Sequence, residues 1–302
     1  MRVSSTALAA AVALAAIGCS DSPSEVSTEE AAVLQAYADV DPGYLDEDPG
    51  GEGLELSPAL TATGTVFAAP GDPYVAPERW GRRRAHERPS RDRRVVVEGD
   101  TARVAVAVHF RGVLLVDSTH DGVANPGAKR MHETLQQRAV FVKDTEARRG
   151  WRLIGISLGN VVDTDPARRT VEVASVAVEV NGQQLGEVTD PGQIFRVGNG
   201  IPELRVGDSV VVTAQVRNAT GTDLVPPTQV FLHLRHHRAN TDAWGRILMH
   251  LNDDGSWTMG WRVRRAGIAR MAVDAIDSEA LQTQSGDNYR ANIWAFPYRA
   301  IP

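Results

Sequence analysis

The chain has 302 residues, of which 42% are hydrophobic and 23% charged, with a formal net charge of −6 and a single cysteine. The length suits two domains, and the ordinary apolar fraction excludes a disordered chain or a polytopic membrane protein. One cysteine excludes an internal disulfide framework and thiolate metal cages, and the acidic balance excludes a wholesale polycation.

The chain opens with a short charged segment, Met1-Arg2-Val3, followed by an Ala-rich apolar run over residues 6–17. That run has the length of a signal-peptide core and is too short to cross a bilayer. Ala16-Ile17-Gly18-Cys19 resembles a bacterial lipobox, with Ala16 where the family usually carries Leu. The resemblance implies a signal peptide over residues 1–18, cleavage before Cys19, a diacylglycerol on its thiol and a further acyl chain (palmitate-like) on the new amino group. Two or more acyl chains make anchoring persistent, so a lipid bilayer is the implied partner. Ser20 rather than Asp follows the cysteine, which in a Gram-negative cell resembles export to the outer membrane. The competing reading is an ordinary secretory signal with a chance cysteine.

Residues 19–27 read as an acidic tether. Thr28-Glu29-Glu30 opens a helical pattern, with Thr28 as a plausible N-cap and Ala32, Val33, Ala36 and Tyr37 on one face. Asp41-Pro42-Gly43 ends it. Residues 44–58 read as a loop, 60–69 as a strand or short helix, and 70–73 as a turn. Residues 76–88 fit either a helix or a strand with alternating arginines. Eight arginines fall between Arg79 and Arg94, after a stretch from Cys19 to Glu78 with no Lys or Arg. They read as a solvated face paired with the acidic segment, with a site for an anionic ligand or lipid headgroup as the rival. Only Trp80 interleaves them, and an exported chain rarely meets nucleic acid, so no nucleic-acid partner is expected.

Residues 95–110 read as strand, tight turn at Glu98-Gly99-Asp100, strand, with the second strand running on towards Val116. Residues 135–143 and 151–158 form another pair, and 117–131 a loop. Leading helical elements, long hairpins and the ending Gly150-Trp151-Arg152-Leu153-Ile154-Gly155 resemble the nuclear-transport-factor-2-like (SnoaL-like) family. That resemblance spans residues 28–162 and implies an α+β cone, with helices packed on a curved antiparallel sheet and a small-molecule pocket inside. Strand alternation puts Val104, Val106, Val108 and Phe110 on one face and Ala105, Ala107, His109 and Arg111 on the other. The second face is expected to be the solvated or helix-covered side; the rival reading has it line the cone, with Arg111 as ion partner and His109 as hydrogen-bonder or base for a small acidic or polar ligand. No Asp–His pair on helical spacing supports catalysis.

Asp163-Thr164-Asp165-Pro166 marks a domain boundary, and residues 163–302 form the second unit. Strands at 171–180, 209–217, 229–237, 245–251, 256–264, 267–276 and 289–298, with a hairpin turn at 252–255, suit a β-sandwich. Val206-Gly207-Asp208-Ser209-Val210 and Gly255-Ser256-Trp257-Thr258 resemble bacterial immunoglobulin-like domains, which implies a spacer or adhesive module. His233, His236, His237 and His250 match no zinc spacing and read as surface histidines. Asp274, Asp277, Glu279 and Asp287 do not follow a calcium-loop pattern. Trp244, Trp257, Trp261 and Trp294 read as core, with glycan stacking on the sandwich as the alternative. The expectation is an anchored envelope protein with a binding or scaffolding role towards an unknown protein or small molecule, no catalytic residue, no metal and no cofactor. An enzyme or carrier built on His109 and Arg111 is the alternative.

Overall fold

The computed structural model describes residues 27–40, 44, 79–85, 88–119, 121–197, 201–236 and 245–302. Cys19, the signal segment, most of the tether, and the elements expected between residues 45 and 78 lie outside the described residues. Helix α1 (Thr28–Ala38) is capped by Ser27, one residue before the expected cap, with Ser27 and Glu30 forming a reciprocal capping box. Its buried residues are Val33, Ala36 and Tyr37, as its apolar spacing predicts. The strands of the first half are β1 (Arg79–Arg84), β2 (Ser90–Glu98), β3 (Thr101–Asp117), β4 (Gly127–Lys143), β5 (Trp151–Ile156) and β6 (Gly159–Asp163). Next come β7 (Val171–Val180), β8 (Gln183–Val188), β9 (Phe195–Arg196), β10 (Glu203–Arg205), β11 (Ser209–Asn218) and β12 (Thr228–His236). The last are β13 (Gly245–Leu248), β14 (His250–Leu251), β15 (Trp257–Arg262), β16 (Gly267–Asp277), the short helix α2 (Ser278–Gln282) and β17 (Ala291–Ile301).

The α+β cone followed by an immunoglobulin-like sandwich is therefore corrected to an all-β class: two α-helices stand against seventeen strands among the described residues. The reason is a long-range pairing. β6 pairs β4 on one side and β17 on the other, so both halves of the chain enter one twelve-stranded sheet. Its main path runs β1-β3-β4-β6-β17-β16-β12-β13. Among the described residues, strand side chains together with the single helix α1 fill the concave side.

The curl can be measured from contacts. β1 and β16 are five steps apart in the sheet, about 24 Å if it were flat at ~4.8 Å per strand. Yet Arg82 of β1 donates to Asp274 of β16, with Nη2 to Oδ1 at 2.8 Å. Trp80 of β1 meets Phe231 of β12 edge-to-face at 4.8 Å, and Arg246 of β13 donates to the Trp80 carbonyl at 2.9 Å. The sheet is thus an almost closed barrel whose two ends meet through side chains. α1 packs into the same concave core, with Val104, Trp151 and Leu153.

A five-stranded sheet, β14-β15-β11-β7-β8, covers part of the convex side. One row of ladder partners shows where it starts: Asp92, Ala107, Gln136, Asn160, Trp294, Val273, Leu232. The first four are polar or small, and among the described residues no second sheet lies over them. The last three sit in the core between the sheets. β16 and most of β17 are buried on both faces, because one face looks into the barrel and the other at the second sheet.

Long strands β3 and β4 are each flanked by two collinear short ones. β2 pairs residues 101–109 of β3 and β1 pairs residues 112–117. β5 pairs residues 139–143 of β4 and β6 pairs residues 133–136. Each junction leaves a break in the ladder, and the outer face is hollowed beside both.

Candidate functional site

Beside the break between β1 and β2 lies a hollow of about 560 Å3. Its wall carries Arg84, Arg88, Arg91, Arg111, His109 and His132, and no carboxylate among the described residues that line it. Arg111 and His132 are direct ladder partners, as are Ser90 and His109, so register places these groups side by side on the outer face. Arg84 forms the floor. Its guanidinium lies 4.4 Å from the Phe110 ring centroid and it donates to Glu133. His109 is fixed through both ring nitrogens: Nδ1 lies 2.9 Å from Thr134 Oγ1 and Nε2 lies 3.0 Å from Asp92 Oδ2. Thr134 Oγ1 in turn lies 3.0 Å from Thr164 Oγ1. Several guanidinium forks around one space offer bidentate donors matched to carboxylate, sulfate or phosphate oxygens.

The structure brings His109 and Arg111 together, but not where the cone implied. The Ala105–Arg111 parity faces outward. Val104, Val106, Val108 and Phe110 face the concave side and are buried, because curling the sheet encloses its most apolar parity. The arginine cluster is not one solvated face either. Arg82 turns inward and is 1% exposed, and Arg84 is half-buried, while Arg88, Arg91, Arg93 and Arg94 are exposed.

Strand alternation with Leu114 sends Arg82 into the barrel, where a charged network fills the gap between distant strands. Arg82 pairs with both oxygens of Asp274 and donates from Nε to Tyr289 Oη at 2.9 Å. Tyr289 donates to Glu133, which also accepts from Arg84. His233 Nε2 lies 3.0 Å from Asp274 Oδ2. Burial raises the Asp274 pKa, but Arg82 and then His233 outweigh it and hold the carboxyl well below the usual range. Burial likewise opposes charge on Arg82, and Asp274 reverses it, keeping the guanidinium cationic. Burial, with Glu133 and Asp274 nearby, pushes the Tyr289 phenol up and keeps it a neutral donor. The network seals the barrel and supports Arg84 at the hollow's floor.

His233 is thus not a surface histidine; it is 1% exposed. His250 is exposed, and His237 lies outside the described residues. The acids near α2 are engaged elsewhere. Asp277 caps α2 and accepts from Asn218, and Asp287 pairs with Arg168 at 2.7 Å. Among the described residues no group of three or more His, Cys, Asp or Glu is placed to hold a metal ion. Trp257 and Trp294 are buried between the sheets and Trp261 packs against them, whereas Trp244 lies outside the described residues. The buried network leaves no clear signal in the sequence: Arg270 and Asp274 share one parity of β16, which alternation alone would turn to solvent.

No protein-family model and no curated protein matches the chain. What defines the candidate site is therefore its own geometry: a cationic hollow on the uncovered part of a curled sheet.

Proposed function

We propose that this is an envelope lipoprotein, anchored through acylated Cys19, whose role is to bind an anionic ligand in the hollow walled by Arg84, Arg88, Arg91 and Arg111. The observation that carries the binding role is the convergence of Arg88, Arg91, Arg111 and His132 on about 560 Å3, beside Arg84 and His109, which are themselves paired with Glu133 and Asp92. That volume suits a small molecule or one end of a larger one. His109 and Thr164 add hydrogen-bonding groups beside the cations. The anchor rests on the Ala16-Ile17-Gly18-Cys19 resemblance and the apolar run before it.

Titration calorimetry of the full chain in detergent, with citrate and with inorganic phosphate as probes, tests the hollow. Arg111→Ala is expected to weaken binding by about tenfold, the loss of one charge-assisted hydrogen bond. Binding that is absent, or unchanged in that variant and in Arg88→Ala, refutes the reading. Mass spectrometry of the mature N-terminus tests the anchor, and an unmodified Cys19 rules it out.

A further inference from the structure

A second hollow, of about 470 Å3, lies beside the other ladder break, between β5 and β6. Arg94, Gln136, Arg138, Ser157, Asn160 and Asp190 are among its lining residues. Arg138 is set there by two features. Its backbone N–H donates to Ser157 Oγ at 2.8 Å. Its guanidinium passes over Gly192, where a Cβ would come within 3.2 Å of Nη1, so glycine makes the room.

The two hollows belong to one face. The first is built on Arg111, His109 and His132, and the second on Ala105, Ala107 and Gln136. These are alternate positions of adjacent strands, so they project to the same side. From Arg111 to Ala105 is six residues of β3, about 20 Å at ~3.4 Å per residue. The floor between them is low: Ala107 of β3, opposite Gln136, and His109, opposite Thr134. Among the described residues no second sheet covers this part of the first.

We infer that this tract is a single extended groove for a linear acidic polysaccharide, with Arg88 and Arg111 gripping one acidic sugar and Arg94 and Arg138 another. The inference rests on reading the first hollow as an anion site and extends it to a ligand class. The chemistry along the groove alternates. Guanidinium groups stand at both ends, and Gln136 and Asn160 of the second hollow offer amide partners to ring hydroxyls. Asp92 and Asp190 line the second hollow as acceptors for sugar hydroxyls, which a compact polyanion would not tolerate. Among the described lining residues Phe110 is the only Phe, Tyr or Trp, and its ring lies under Arg84, so these residues give no platform for stacked bases. Two grips on one chain make the second engagement intramolecular, so affinity should rise with ligand length.

The test uses the full chain in detergent, with galacturonic acid, a long oligogalacturonate, neutral dextran and single-stranded oligo-dT as probes. The oligomer is expected to bind at least about tenfold more tightly than the monomer. Arg138→Ala should abolish that gain, leaving the oligomer no tighter than the monomer, while Arg111→Ala weakens both. An oligomer no tighter than the monomer, or unaffected by Arg138→Ala, overturns the groove while leaving the first hollow standing. Equal binding of oligo-dT or dextran overturns the ligand class. If Arg111→Ala also changes nothing, it is the anion-site reading that fails.

Discussion

Asp274→Asn keeps the side-chain shape and removes one charge from the pair that draws β1 against β16. It leaves the Arg82 guanidinium 1% exposed, with Tyr289 Oη at 2.9 Å and Glu133 at 4.0 Å as its remaining oxygen partners. Breaking a buried ion pair from one side costs roughly 3–5 kcal/mol, against ~0–1 kcal/mol for an exposed pair. Glu133 retains part of the attraction, so about 3 kcal/mol is expected, read from the urea-unfolding midpoint at constant slope. The double variant Arg82→Met, Asp274→Leu should cost less than the sum of its single variants by about 1–3 kcal/mol, since neither charge is then stranded. The pair also sets an acid limit. Asp274 is held below its unfolded value near 3.9, so its contribution is complete above that pH and is lost as pH falls through the lower folded value. Asp274→Asn should flatten that acid-side slope. A single-variant cost under about 1 kcal/mol, or additive variants, would refute the claim that this contact holds the curl.

Trp80→Ala removes a fully buried indole that meets Phe231 and lies 3.6 Å beneath the Arg246 guanidinium, and should cost about 3–5 kcal/mol by the same unfolding assay. Lys129 is enclosed by Ala280 O, Thr283 Oγ1 and Asn288 Oδ1 at 2.6–2.8 Å, and burial pushes its ammonium down to about 8. Between that value and the unfolded one near 10.4 the unfolded chain holds more protons, so stability should rise with pH there, by at most about 1.4 kcal/mol per unit. Lys129→Met should remove the slope in pH-dependent urea unfolding. Gly127→Ala would put a Cβ 1.9 Å from the Gln284 carbonyl oxygen, so the loop after α2 must move, and a melting scan should register about 1–3 kcal/mol of destabilisation.

Local patterns were read well because local physics decides them. The 98–100 turn, the apolar face of α1 and β7 at residues 171–180 all emerged where periodicity placed them. The sequence of β1 fits helix and strand alike, because Arg82 and Arg84 look like surface charges until partners far along the chain are known. Those partners are 192 residues away at Asp274 and 49 away at Glu133. The pairing of β6 with β17 leaves no mark in either segment, yet it decides the fold class. His109 and Arg111 were legible as a pair through strand parity. Which side of the sheet they occupy was not, since curl direction follows from the buried network.

Strand β17 completes the sheet by inserting between β16, the strand just before it, and β6, which lies more than a hundred residues earlier. A nascent chain leaving the ribosome therefore holds β4 and β6 with an open, apolar edge until residue 301 has been made. Contacts of such sequence separation form slowly and only late. On the export route proposed above, this delay would keep the polypeptide threadable through a translocation pore and defer barrel closure to the far side of the membrane.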